Sequence, residues 1–330
     1  MIDIRRAVSA LPQTRNTEGR IRSVGVELEF GGLSPSQAAD IVADVLGGNV
    51  SEQDPFRFSI ATAHGAFTVE LDTRWAHPEF VAAFAEDLPD EIRSDVAKGI
   101  SLAAGSVLAG VFPVELVCPP IPHDKLDMLR PIGTALADAG ALGTAYSAFA
   151  GFGMHLNIEV ARLEVSHLLA VTKAYLLLDF WLRRESRVAL VRQLQHYIQP
   201  FPEAYKKHVL QPDYAPALDT FMDDYMRFNP TRNMELDLLP VFALIDPKRV
   251  DHALPGVKNS ARPTFHWRLP NCRIDEPEWE PGQDWERWVA VERLASDDDQ
   301  MNQLAQAYQR DGPVTEFHAR LRRFLDMLTA

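Results

Sequence analysis

Residues 21–30 read IRSVGVELEF, with apolar and polar positions alternating toward the end of the stretch. Successive side chains of a β-strand point to opposite faces of the sheet. Glu27 and Glu29 therefore share one face, and the apolar residues around them share the other. The stretch predicts a strand that packs one face on a core and presents two carboxylates on the opposite face.

Three further stretches carry charged or imidazole side chains in the same way. They are VFPVELV at 111–117, FGMHLNIEV at 152–160 and TFHWRL at 264–269. Apolar side chains occupy one face of each predicted strand. The polar positions are Glu115, His155, Asn157, Glu159, His266 and Arg268.

These polar positions are unusual for a face that is merely solvated. Exposed strand positions favour residues such as Thr, whereas Asp, Glu and Asn are depleted there. Like charges on neighbouring strands also repel, by up to about 1 kcal/mol for a directly opposed pair. A divalent cation removes that repulsion, and carboxylates with water suit Mg²⁺ or Mn²⁺, while imidazole also suits Mn²⁺ or Zn²⁺. The strands together predict a metal site.

The remaining pattern predicts an α+β protein. Several strands follow one another directly, including a hairpin formed by 56–60 and 66–72, which favours an antiparallel or mixed sheet with helices on one side. Ser34-Pro35 opens the first helix, and Gly47-Gly48 ends it. Further helices are predicted at 78–87, 90–104, 123–140, 163–194, 284–310 and 314–328.

The domain organisation follows from length and pattern. The chain has 330 residues, above the roughly 250–300 at which one core usually stops growing. One large domain with insertions and one domain with a helical extension both fit this length. We predict an N-terminal arm at 1–20 and one large domain at 21–330, with an irregular insertion at 197–262 and a helical tail at 284–330.

Composition excludes several classes of protein. Asp plus Glu number 46 against 33 Lys plus Arg, a formal charge of −13, so we expect no nucleic-acid partner. Two cysteines exclude a disulfide framework and a cysteine-rich zinc site. The first residues lack a signal-peptide pattern, and we find no apolar run of about 18 residues. We therefore expect a cytoplasmic protein without a membrane partner, and homo-oligomerisation is left open.

The familiar nucleotide and hydrolase motifs do not occur. The sequence has no G-x-x-x-x-G-K-[ST] loop and no complete G-x-G-x-x-G, of which Gly151-Phe152-Gly153 is a fragment. It also has no H-E-x-x-H and no G-x-S-x-G. Any ATP site must rest on metal ions and arginines.

The order of the strand motifs resembles the amidoligase family, the carboxylate–amine ligases related to glutamate–cysteine ligase and glutamine synthetase. Five segments match in order, and a sixth, Arg232-Asn233, matches an arginine before a short strand. The five are Gly25-Val26-Glu27-Leu28-Glu29-Phe30, Glu70-Leu71-Asp72, Val114-Glu115-Leu116-Val117-Cys118-Pro119-Pro120, Gly151-Phe152-Gly153-Met154-His155-Leu156-Asn157 and Thr264-Phe265-His266-Trp267-Arg268. The resemblance covers about residues 21–290.

The resemblance implies a curved antiparallel β-sheet of the glutamine synthetase/glutamate–cysteine ligase catalytic type, with helices on its outer face. It implies ATP, bound through Mg²⁺, and an amide formed from an amino acid or peptide carboxylate and an amine through an acyl phosphate. The implied metal ligands are Glu27, Glu29, Glu115, His155 and His266. The implied nucleotide-binding residues are His155, Arg232 and Arg268, and the implied catalytic residues are Asp72, Asn157 and Arg268.

One position departs from the family pattern. The last strand of the family usually carries Glu where this chain has His266. Imidazole can replace a carboxylate as a ligand, but the site loses a negative charge. Two consequences stay open: a lower metal affinity, or a preference that moves from Mg²⁺ toward Mn²⁺ or Zn²⁺. Two other functions remain open, a metal-dependent hydrolase that uses the same cluster without ATP and a non-catalytic nucleotide- or peptide-binding descendant.

Overall fold

The structure, a computed structural model, describes residues 9–71, 113–144, 152–186, 198–257, 260–311 and 316–329. Asp72 and the helices predicted at 78–87 and 90–104 lie outside the described residues. The same holds for the last part of the helix predicted at 163–194, beyond Ser186.

A nine-stranded sheet forms the centre of the described protein, and all its described pairings are antiparallel. The strands follow the order β2-β3-β4-β5-β1-β7-β9-β8, and β6 pairs with the start of β1. Their bounds are β1 Ser23–Phe30, β2 Asn49–Asp54, β3 Arg57–Thr62, β4 Gly65–Leu71, β5 Val114–Val117, β6 Ile121–Pro122, β7 Met154–Glu159, β8 Leu236–Asp237 and β9 Thr264–Trp267. The predicted antiparallel arrangement is thereby confirmed.

The helices connect these strands and form the C-terminal part of the chain. A 3₁₀ helix, His123–Met128, precedes α2. The α-helices are α1 Pro35–Leu46, α2 Leu129–Asp138, α3 Val165–Glu185, α4 Glu203–Val209, α5 Leu218–Phe228, α6 Leu239–Ile245, α7 Pro247–Ala253, α8 Pro281–Ala295, α9 Asp298–Asp311 and α10 Glu316–Thr329.

One face of the sheet is apolar and is covered by helices. Trp288 of α8 packs on Phe265 and on Trp267, with ring centroids 5.7 Å apart in each case. The indole Nε1–H of Trp267 also donates to the hydroxyl of Tyr175 in α3. Burial of each such large apolar side chain contributes about 1.5–3 kcal/mol. This packing leaves the opposite face of the central strands for the polar residues.

Helix α1 begins at a capping box. The backbone N–H of Gln37 donates to Ser34 Oγ, and the Gln37 side chain accepts from the backbone N–H of Ser34. Gly47 ends the helix with a φ of 67°, a left-handed conformation that glycine adopts without a steric penalty. Both ends of the helix predicted from Ser34-Pro35 and Gly47-Gly48 are confirmed.

Ser34→Ala is expected to lower the free energy of unfolding by about 1 kcal/mol, because the Gln37 amide loses its acceptor. Urea denaturation measures this change. Ser51→Ala, on the exposed strand β2, is the matched control and should change stability by less than about 0.5 kcal/mol. Equal losses in both variants would contradict the assigned role of the cap.

Other sequence-based boundaries differ from the structure. Strand β2 was missed, because all six of its side chains are exposed and no apolar alternation marks it. The helix predicted at 284–310 is two helices, broken at Ser296 and Asp297, where the Asp297 side chain accepts from the backbone N–H of Gln300. Within 197–262, the described residues form four short helices, a kind of element that the sequence led us to expect there, and one strand of the sheet, β8, that was not predicted.

Among the described residues, α3 is long and apolar enough to cross a membrane by length and composition. In the folded chain, 61% of its apolar window is buried inside the protein. Burial of that extent is typical of the core helix of a soluble protein.

Candidate functional site

Strand register aligns three glutamates across the polar face of the sheet. Glu29 of β1 lies opposite Glu115 of β5, and Glu115 lies opposite Glu70 of β4. Directly opposed like charges on neighbouring strands destabilise a sheet. A row of three carboxylates is therefore an arrangement that a bound cation would stabilise.

A second group of polar residues continues toward the other edge of the sheet. Glu27 lies opposite His155, whereas Asn157 of β7 lies opposite His266 of β9. Strand β8 adds Asp237 beside His266. Acidic and imidazole side chains from six neighbouring strands thus share one face.

His155 lies between the two glutamates of β1, Glu27 and Glu29. Its Nδ1 lies 2.9 Å from Glu27 Oε2, and its Nε2 lies 3.8 Å from Glu29 Oε1. Glu29 is held from the other side by the backbone N–H of Gly153, which donates to Oε2 over 2.7 Å. The imidazole therefore directs one ring nitrogen toward each glutamate of β1.

Two sets of side chains in the described part of the chain have the spacing of a metal site. One set is Glu27, His155 and His266, and the other is Glu29, Glu115 and His155. In each set the candidate ligand atoms lie within 4.8 Å of one another. Oxygen and imidazole nitrogen together suit Mg²⁺, Mn²⁺ or Zn²⁺.

The protonation states favour metal binding near neutral pH. Burial lowers the pKa of His155, and burial together with the charge of Arg268 holds the pKa of His266 well below its ordinary value. Burial raises the pKa of Glu27, but the hydrogen bond from His155 and the neighbouring imidazoles outweigh it and hold the pKa well below its ordinary value. Ionised carboxylate and neutral imidazole are the forms that bind metals.

Three arginines line the same cleft at the end of the sheet formed by β8 and β9. Arg232 precedes β8, Arg262 precedes β9, and Arg268 follows β9. The cleft has a volume of about 440 Å³ and contains both the arginines and the carboxylates. Arginine offers a planar fork that matches carboxylate and phosphate oxygens.

Asp237 of β8 is buried and lines the cleft together with these arginines. Its Oδ1 accepts a hydrogen bond of 2.9 Å from the backbone N–H of Leu239. Burial raises the pKa of Asp237 to about 6, although the charge of Arg268 and the hydrogen bond from Leu239 oppose that change. This carboxyl group lowers the net positive charge of the arginine-lined end of the cleft when it is ionised.

The structure brings together most of the residues that the sequence singled out. Six of them line the cleft, and their catalytic roles stay predictions: Glu27, Glu115, His155, Arg232, His266 and Arg268. Glu29 belongs to one of the two ligand sets, and Asn157 contacts Glu27. Asp72 lies outside the described residues.

Sequence reasoning missed three charged residues of the cleft, Glu70, Asp237 and Arg262. Glu70 was quoted only as a neighbour of Asp72, although its place in the predicted hairpin was a usable signal. Asp237 lies in a strand of two residues, and Arg262 lies in a loop. Neither has a periodic pattern that would mark it.

The fold and the cleft define a class of antiparallel-sheet proteins whose polar face carries carboxylate, imidazole and arginine side chains. A family model described as "Putative amidoligase enzyme" matches residues 20–290. The match covers most of the chain, so the chain belongs to the amidoligase family, as the strand motifs predicted. Family membership supports a general ligase role. The comparisons with curated proteins and with solved structures give no match.

Proposed function

We propose that this protein is an ATP- and Mg²⁺-dependent carboxylate–amine ligase that forms an amide through an acyl phosphate. The proposal includes a curved sheet of the glutamine synthetase/glutamate–cysteine ligase type. Its substrates are the carboxylate of an amino acid or peptide and an amine, and its compartment is the cytoplasm.

One observation carries the proposal: carboxylates and arginines line the same cleft from different strands. Glu70, Glu115 and Glu27 come from β4, β5 and β1, whereas the arginines flank β8 and β9. Phosphoryl transfer needs charge neutralisation and positioning more than covalent help from the protein. Because this chain has no phosphate-binding loop, an ATP site in it needs metal-binding carboxylates and phosphate-binding arginines in the same cleft.

The donor set fits a divalent cation. Glu29, Glu115 and His155 form one ligand set, and Glu27 and His266 extend it with a third carboxylate and a second imidazole. Bound Mg²⁺ or Mn²⁺ would neutralise the charge of the ATP phosphates at these residues. The buried hydrogen bond from the Gly153 backbone N–H holds Oε2 of Glu29 in place. Because the carboxylate is rigid, this bond also sets the direction in which Oε1 points.

The arginines act on the phosphoryl group and the substrate. In the proposed first step, a substrate carboxylate oxygen attacks the γ-phosphorus of ATP, the bond to ADP breaks, and Arg268 stabilises the transferring group. Arg232 holds a phosphate or the substrate carboxylate. In the second step the amine nitrogen attacks the acyl carbon, and phosphate leaves. Asp72 accepts the proton that the incoming ammonium loses, and Asn157 orients substrate or nucleotide.

The test is release of ADP and phosphate with Mg²⁺ or Mn²⁺ across a panel of amino acids, short peptides and amines. Each assay omits the acid, the amine or the metal in turn. Release that requires an acid and a metal is the expected result, and mass spectrometry of the mixture should then identify an amide. That result also names the substrate pair.

The other two functions give different results in the same assay. Hydrolysis of a peptide or amide without nucleotide would identify the metal-dependent hydrolase. Metal or ATP binding by calorimetry, with no phosphate release for any pair, would identify the non-catalytic descendant. Either outcome would replace the ligase proposal.

His266→Glu is expected to tighten Mg²⁺ binding by roughly tenfold, the order of change that altering one group at a metal site brings. A carboxylate restores the negative charge that the imidazole lacks, and Mg²⁺ prefers oxygen ligands. Competition between Mg²⁺ and Zn²⁺, followed by calorimetry, measures the change in preference. His64→Glu, in the exposed turn of the β3–β4 hairpin, should change neither. Weaker Mg²⁺ binding by His266→Glu would show that the cleft is adapted to another metal.

A further inference from the structure

Asn157 lies at the centre of a hydrogen-bonded group that joins two of the candidate metal ligands. Its Oδ1 lies 2.6 Å from Arg262 Nη2 and 2.7 Å from His266 Nδ1. Its Nδ2 donates to Glu27 Oε1 over 2.8 Å. Glu27 also contacts His155 through its other oxygen, so the group extends from Arg262 to both imidazoles.

The contacts of Asn157 are compatible with one orientation of its amide. A rotation by half a turn would bring Nδ2–H against the guanidinium of Arg262, so that two donors would face each other. The same rotation would bring Oδ1 against the carboxylate of Glu27, so that two acceptors would face each other. Each mismatch leaves a polar group without its hydrogen bond in a largely buried place, at a cost of about 1–3 kcal/mol.

The amide orientation in turn determines the proton position on His266. A carbonyl oxygen accepts hydrogen bonds and donates none, so the contact of 2.7 Å requires a proton on Nδ1. Arg262 Nη2 also lies within hydrogen-bonding distance of this nitrogen, at 3.3 Å, but it has a closer acceptor in Asn157 Oδ1 at 2.6 Å, and Nδ1 is closer to Asn157 Oδ1 than to Arg262. Neutral His266 therefore carries a bare electron pair on Nε2.

The bare nitrogen of His266 is placed for binding. The residue is only 3% exposed and lines the cleft. Within the described residues, Nε2 of His266 makes no hydrogen bond, whereas Nδ1 is held by Asn157. The ring of His155 lies 5.2 Å away at an interplanar angle of 71°. An imidazole fixed through one nitrogen and open at the other is the usual arrangement of a metal-ligating histidine.

We propose that Arg262 is a positioning residue, which fixes the amide of Asn157 and thereby presents the bare Nε2 of His266 to the cleft. Arg262 is itself held at two points. Its backbone N–H donates to the carbonyl of Pro240, and its Nε donates to Thr264 Oγ1 over 3.2 Å. The consequence for metal binding rests on the proposed function, but the proton position on His266 does not.

The first test is made on the wild-type chain without metal. Two-bond ¹⁵N–¹H correlation spectra of histidine-labelled protein distinguish a protonated ring nitrogen from a bare one, and the His266→Gln variant assigns the signal. We expect a proton on Nδ1 and a bare Nε2. A proton on Nε2 in the wild type would overturn the proposal without any change to Arg262.

The second test compares two substitutions of Arg262. Arg262→Lys keeps a cationic donor for Asn157 Oδ1, so His266 should keep its proton on Nδ1. Arg262→Met removes the donor, and its spectrum should show a substantial population with the proton on Nε2. Arg20→Met, which removes an arginine from an exposed ion pair with Glu18, is the matched control. An unchanged spectrum in Arg262→Met would overturn the proposal.

Metal affinity separates this proposal from the proposed function. Calorimetry with Mn²⁺ should show a loss of about 10- to 100-fold in Arg262→Met, as for other residues that orient a ligand, and a smaller loss in Arg262→Lys. If the proton moved to Nε2 in Arg262→Met while the Mn²⁺ affinity stayed unchanged, Arg262 would still be the positioning residue, but His266 would not be a metal ligand. A loss of affinity without a moved proton would overturn the positioning role.

Discussion

Glu29→Gln is expected to reduce ligase turnover by at least about 100-fold, since a bound metal supplies several kcal/mol of stabilisation to the transition state. Glu29 is almost fully buried and lies between Glu115 and the Gly153 amide. Glutamine keeps the size of the side chain and an oxygen that can accept from Gly153. Its amide nitrogen, however, carries hydrogens and cannot bind a cation.

The measurement combines phosphate release with direct titration of Mn²⁺. Turnover and Mn²⁺ affinity should fall together in Glu29→Gln, while the unfolding midpoint stays close to that of the wild type. Glu52→Gln, on the exposed strand β2, is the matched control and should alter neither quantity. Wild-type Mn²⁺ affinity in Glu29→Gln would show that Glu29 is not a metal ligand.

Arg22→Ala is expected to lower the free energy of unfolding by about 3–5 kcal/mol, the cost of leaving one member of a buried ion pair without its partner. Arg22 and Glu292 are both buried and form two hydrogen bonds, of 2.7 and 2.6 Å. Arg22 Nε also donates to the carbonyl of Glu159, and Trp288 Nε1 donates to Glu292. The pair therefore joins the start of β1 to α8.

Urea denaturation measures this loss against two further variants. Arg20→Ala removes an arginine whose partner Glu18 is also exposed, and it should change stability by no more than about 1 kcal/mol. Arg22→Met combined with Glu292→Leu removes both charges and should recover part of the loss, because an apolar pair needs no compensation for desolvation. A loss below about 1 kcal/mol in Arg22→Ala would show that solvent reaches Glu292.

The parts of the fold that were predicted correctly depend on local pattern. Alternation in 21–30 gave β1, and Ser34 with Gly47 gave both ends of α1, because these signals act over a few residues of chain. Strand β2 lacks any apolar position on a buried face, and β8 has two residues. Such strands form because a neighbouring strand pairs with them. The few residues of the strand itself do not indicate which segment of the chain that neighbour is.

The same distinction applies to the site. Glu27, Glu29, Glu115, His155 and His266 were predicted because each alternates with apolar residues in its own strand. Arg262 and Asp237 were missed because a loop and a two-residue strand have no period. The Arg22–Glu292 pair was beyond prediction as well, since its members are 270 residues apart in sequence.

The sequence by itself determined the strands that carry apolar alternation, the polar face of each of them and the family to which the chain belongs, because side-chain alternation and motif order are properties of the linear chain. The tertiary structure decided which polar residues meet. Register placed Glu115 between Glu29 and Glu70, and loop closure brought Arg262 to Asn157. Those contacts form only when segments far apart in sequence pack together. That packing sets the distances between the candidate metal ligands and the position of the proton on His266.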